Sequence, residues 1–156
     1  MEPRGRVRDR DLVRAAASDP SRHESEVVRG LEAVFRRGGL TPPDEIDAVG
    51  RDIRRQEALA HLVRAGTLIR AVDRVQRRAI LFHREAVEGA KATLARSFAG
   101  GDGFLAREAG AVLGISRKFS IPLLEHLDDI HFTRRIGDRR VLIGEAGAGP
   151  GTPASP

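Results

Sequence analysis

The feature that most restricts this 156-residue chain is an order of signals that occurs twice. Each copy has a stretch with helical apolar spacing, a glycine stop, a short second helix, a third helix, and two extended runs around a turn. The second copy is the clearer. From Ala86, the residues Val87, Ala90, Leu94 and Phe98 recur at helical spacing, and Gly100-Gly101-Asp102-Gly103 ends the helix. Phe104 and Leu105 reopen an apolar stretch, and Ala106 to Leu113 reads as a short helix closed by Gly114. Ser116 is placed to cap a third helix towards Ile130, with Phe119, Leu123, Leu127 and Ile130 on one face and Arg117, Lys118, Pro122 and Glu125 largely off it. Pro122 deletes a backbone hydrogen bond, so this helix is expected to begin late or to bend. His131 to Ile136 and Arg139 to Ile143 then flank Gly137-Asp138, which suits a two-residue hairpin turn. That turn pairs Phe132 with Ile143 on the face of Val141, and sets Arg135 opposite Arg140 on the other. Two facing arginines repel unless an anion lies between them.

The first copy repeats this order with Val27, Val28, Leu31 and Phe35 on its first helix and Gly38-Gly39 as the stop. Pro43 opens a second helix over Asp44 to Val49, ended by Gly50. A third helix runs from a cap at Asp52 to Arg64, with Gly66 ending it, and a looser hairpin joins Thr67–Val72 to Ala79–His83. Helix, helix, helix, hairpin is the winged-helix arrangement, a variant of helix-turn-helix. The expected fold class is therefore mainly α with small β-hairpins, in tandem winged-helix domains. The expected division is an N-terminal extension over residues 1–23, a remnant of a preceding domain or disordered, set off by Ser18-Asp19-Pro20-Ser21, then 24–82 as the first domain, 83–143 as the second, and 144–156 as a disordered Gly/Ala/Pro tail. Domains of about sixty residues have small cores, so contact between them matters.

Composition narrows the function. No apolar run reaches the roughly 18 to 20 residues of a membrane span, and MEPRGRVRDR lacks the apolar segment of a secretory signal. A cytoplasmic location is the expectation. There is no cysteine, and the five histidines lack metal-ligand spacing, so neither a disulfide nor a structural metal is expected. No phosphate loop, H-E-x-x-H, G-x-S-x-G or cysteine nucleophile is present, and the chain reads as a non-enzyme without a cofactor of its own. His126 and His131 flank Asp128 and Asp129, which a polar helix end explains as well as acid–base chemistry does. Lys and Arg number 27 against 22 acidic residues, nearly all of them arginine, whose planar fork suits phosphate. Arg117 and Lys118 open the third helix of the second copy, and Arg134, Arg135, Arg139 and Arg140 lie on its hairpin. Helix start and wing adjoin in this fold, so six cations are expected on one side, as a polyanion site or as a solvated basic edge. In the first copy the arginines are spread more evenly, and that module reads chiefly as a spacer.

The run SRKFSIPLLEHLDDIHFTRRIGDRRVL, Ser116 to Leu142, resembles the last winged-helix domain of the bacterial selenocysteine-specific elongation factor, SelB. GLTPPDEI (Gly39 to Ile46) and LFHREAVEGAK (Leu81 to Lys91) resemble the preceding domain and the junction, so the resemblance covers about Glu24 to Ile143. S-R-K-x-x-x-P-L-L-E followed by F-T-R-R-x-G-D-x-R carries it. The resemblance implies RNA binding to the SECIS mRNA hairpin that recodes UGA as selenocysteine. It makes Arg117, Lys118, Arg134, Arg135 and Arg139 RNA contacts, with Arg140 added from wing geometry. It further implies a monomer whose partners are that hairpin, the ribosome, and GTPase and tRNA-binding domains carrying GTP and magnesium. Those domains lie outside these 156 residues, which reads as a fragment, a split gene product or a truncated gene. His131, before the wing phenylalanine, stands where a small residue would be less surprising. The rival readings are a DNA-binding regulator, which predicts a dimer on a palindromic site, and a protein-interaction module.

Overall fold

Residues 20–143 are described by the computed structural model; most of the expected N-terminal extension and the whole of the expected tail lie outside them. The first helix, α1 (Pro20–Gly38), starts about four residues earlier than the sequence suggests. Pro20 stands at the first helical position, where a missing N–H costs nothing, so it opens the helix instead of marking a linker. Gly39, with φ 57°, ends it. Pro43 stays outside α2 (Glu45–Val49), and Asp44 takes the N-cap position instead of lying within the helix. α3 (Ile53–Arg64) is capped as expected: the Asp52 carboxylate accepts from the N–H groups of Arg54 and Arg55, worth about 1 kcal/mol.

β1 (Leu68–Asp73) and β2 (Arg78–His83) pair antiparallel from Leu68 opposite His83 to Asp73 opposite Arg78. His83 ends this hairpin and also caps α4 (Arg84–Phe98), its Nδ1 accepting from Glu85 N–H. No linker separates the copies. Two core clusters meet at the hairpin. Leu68 and Leu81 on one face pack with Leu31, Phe35, Val49, Leu59 and Leu62. Ala71, Ile80 and Phe82 on the other face pack with Val87, Leu94, Phe104, Leu123, Leu124 and Leu127 of the second copy. The last four residues of β2 are all buried, as expected of a strand covered on both sides. The first wing is therefore an internal wall between the two cores.

The second copy adds a strand that the sequence reading left unassigned. β3 (Phe104–Leu105) pairs with β5 (Arg139–Leu142), and β5 with β4 (Thr133–Ile136), giving the order β3-β5-β4. Gly103 makes β3 possible: its φ is 105°, and a Cβ there would stand 2.6 Å from the Arg140 carbonyl oxygen. Phe104 is fully buried and stacks on Phe98, ring centroids 4.5 Å apart. α5 (Ala106–Leu113) begins with the Glu108 carboxylate accepting from Leu105 N–H at 2.7 Å and ends at Gly114. α6 (Arg117–Asp129) is continuous through Pro122. That proline is fully buried, not on the outer face as expected, so its apolar ring offsets the lost bond to the Lys118 carbonyl.

α6 closes in a Schellman turn: Phe132 N–H donates to Leu127 O at 2.9 Å and His131 N–H to Asp128 O at 3.1 Å. α3 closes in the same way, Thr67 to Leu62 and Gly66 to Val63. His131, with φ 62°, thus occupies the left-handed position that Gly66 holds in the first copy. No described helix is long and apolar enough to cross a membrane.

Candidate nucleic-acid interface

The hairpin register matches expectation, with Arg135 opposite Arg140 and Phe132 O accepting from Ile143 N–H. The two faces of that hairpin have different surroundings. Thr133, Arg135, Arg140 and Leu142 share the face turned to α6, whereas Arg134, Ile136, Arg139 and Val141 share the other. The six expected cations do not converge on one side.

Arg140 is a correction. It is 3% exposed, and its guanidinium grips the Asp128 carboxylate through Nε and Nη2, both at 3.0 Å, with Glu125 3.9 Å away. Asp128 also accepts from the Thr133 hydroxyl at 2.6 Å. The anion that relieves the Arg135–Arg140 pair is thus the chain's own, and Arg140 is spent inside the fold. Sequence reading missed this because Asp128 belongs to the preceding helix and meets the wing only after the Schellman turn.

The remaining five are solvent-accessible. Arg117 and Arg134 have no side-chain partner among the described residues, and Arg135 donates only to the nearby Gly137 carbonyl at 3.0 Å. Lys118 stands over the Phe119 ring and lies 3.4 Å from Asp44 of the first module. Arg139 donates to Gly103 O at 3.0 Å, with Glu108 3.9 Å off. Ser116 occupies the N-cap position of α6 but makes no side-chain cap bond, so the positive end of that helix faces outward beside Arg117.

Arg117, Lys118 and Arg135 border a cleft of about 510 Å³ that also reaches the first hairpin, through Asp73, Val75, Gln76 and Arg78, and the start of α5, through Arg107. The first hairpin is fixed there by Arg74, which donates to Glu125 at 2.7 Å and to both oxygens of Asp129 at 2.8 Å. These carboxylates raise the Arg74 pKa further, Asp129 most. Arg107 was not singled out from sequence, and Arg78 was set among dispersed charges. Arg107 reaches the cleft from α5 of the second module itself, whereas only the packing of the first hairpin on α6 brings Arg78 beside those cations.

A family model described as elongation factor SelB, winged helix, matches residues 104–142, which contain the whole run from Ser116 to Leu142 but none of the first copy. The crystal structure of a bacterial selenocysteine-specific elongation factor, EF-Sec, superposes with a TM-score of 0.63 at 22% identity, covering 80% of this chain and 19% of that one. The mRNA-binding domain of elongation factor SelB from E. coli, solved in complex with SECIS RNA, superposes with a TM-score of 0.62 at 21% identity. That match covers 76% of this chain and 95% of the E. coli domain. The chain spans about a fifth of the longer factor and nearly all of the smaller domain's counterpart. No curated protein sequence matches it.

Proposed function

We propose that this chain is the RNA-binding, C-terminal part of a selenocysteine-specific elongation factor, and that it holds a SECIS stem-loop in messenger RNA. One observation carries the reading: the segment that matches the SelB winged-helix model is also the segment in which Arg117, Arg134 and Arg135 have no carboxylate partner among the described residues, at a helix start and a wing. Unpaired guanidinium groups beside a positive helix end attract phosphate. Arg134 and Arg135 are successive residues of β4 on opposite faces of the hairpin, so the wing can lie between phosphates on two sides. Lys118 and Arg139 add charge once they exchange their present partners for phosphate. Arg140 acts indirectly, by fixing the wing to α6.

The chain itself binds and does not catalyse; GTP, magnesium and aminoacyl-tRNA belong to domains elsewhere in such a factor, and the site of action is the cytoplasm, on the ribosome. The test is a salt-dependent titration of a SECIS stem-loop, taken from behind an in-frame UGA of the source genome, against duplex DNA of equal length. Stem-loop binding by a monomer is expected, with Arg117→Ala and Arg135→Ala each lowering the salt slope by about 0.7 to 0.9. Equal affinity for duplex DNA, with both variants behaving as wild type, would overturn the reading.

A further inference from the structure

The cleft beside α6 is built from both modules, and its charges do not cancel. Its carboxylates are largely committed inside the fold. Asp73 is 5% exposed and accepts from the N–H groups of Val75 and Gln76 at 3.0 Å. Glu125 is taken by Arg74 at 2.7 Å and lies near buried Arg140. That leaves Asp138, at the tip of the second hairpin, as the lining carboxylate with no partner among the described residues. Against it stand Arg78 from β2, Arg107 from α5 and Arg117 from α6, all exposed and all without a side-chain partner among the described residues, together with Arg135 from β4. Four separate elements thus point uncompensated guanidinium groups into one cleft, and one of the four belongs to the first module.

We infer that this cleft takes the ribose-phosphate backbone of the bound RNA and that Arg78 and Arg107 are phosphate contacts, so the first module shares in binding. The inference rests on the proposed RNA-binding function and extends its surface. Backbone is favoured over base because no aromatic side chain among the described residues lines the cleft to stack on a nucleobase, whereas forked guanidinium groups match phosphate oxygens. The position of Arg78 is set by the core: β2 is held by Ile80 and Phe82, and Arg74 clamps the turn to α6. The cleft is therefore formed before RNA arrives, so little ordering opposes binding there.

Equilibrium titration of the SECIS stem-loop over a salt series tests this with the full chain. The variants are Arg78→Ala, Arg107→Ala, Arg78→Lys and Arg117→Ala, with Arg29→Ala, an exposed arginine of α1 that does not line the cleft, as the control. Arg78→Ala and Arg107→Ala are each expected to lower the salt slope by about 0.7 to 0.9 and to weaken binding severalfold. Arg78→Lys should restore most of the slope, and Arg29→Ala should match wild type. If Arg117→Ala weakens binding while Arg78→Ala and Arg107→Ala track the control, the RNA surface ends at the second module. The inference then fails and the proposed function stands. If Arg117→Ala is silent as well, or the stem-loop does not bind wild type, both fall.

Discussion

Arg140 and Arg117 separate two jobs that basic residues perform in one small domain. Arg140→Ala leaves the Asp128 carboxylate, already enclosed by Thr133 and the wing, without its cation; urea unfolding is expected to show a loss of about 3 kcal/mol. Arg117→Ala, at an exposed position without a side-chain partner among the described residues, should change stability by less than about 0.5 kcal/mol while weakening RNA binding. The sequence already contained half of this distinction: a two-residue turn at Gly137-Asp138 sets Arg135 against Arg140 and demands an anion. It could not say that the anion is Asp128, because that needs the angle at which the helix leads into the wing. His131 is the complementary case. Its identity looked odd in the sequence, and its φ of 62° gives the reason: it fills a left-handed helix-closing position. His131→Gly removes the Cβ conflict and should stabilise by about 1 kcal/mol, read as a rise in melting temperature with RNA affinity unchanged.

At the scale of elements, α6 packs against α5, the first hairpin and the wing, and its histidine makes that packing sensitive to pH. Burial lowers the pKa of His126, Asp129 pulls it back up, and Lys91 lowers it further. A histidine held below its ordinary 6.5 contributes full stability above that pH and loses it as the pH falls through the lowered value. Thermal melts should therefore drop between neutral and mildly acidic pH, and His126→Gln should flatten that drop. Helices and their stops were readable, since Gly39, Gly50, Gly66 and Gly114 all mark helix ends with positive φ. β3 was not, because two residues carry no alternation and their partner strand lies some 35 positions away. Pro122 was misplaced for a related reason: a proline in a helix reads as a breaker, and only tertiary burial reveals it as core.

For the whole molecule, the deciding element is the first hairpin, with Leu68 and Leu81 turned to one core and Ala71, Ile80 and Phe82 to the other. Phe82→Ala should cost about 3 to 5 kcal/mol and lower hydrogen-exchange protection in α3 and α6 together, as one cooperative unit. A chain cut to residues 83–143 should expose Leu123 and Leu124, bind hydrophobic dye and melt without a sharp transition. The duplicated pattern was legible as two modules, but periodicity reports how each strand alternates and is silent about what covers its second face. This shared wall also bears on inheritance. Tandem repeats invite exchange, one copy for another, yet here a crossover within the hairpin would hand each descendant half of a partition fitted to a neighbour it no longer has. Ile80 and Leu81 are adjacent in the chain and answer to different cores, so the two modules can diverge only in step, and a lineage should gain or lose them as a pair.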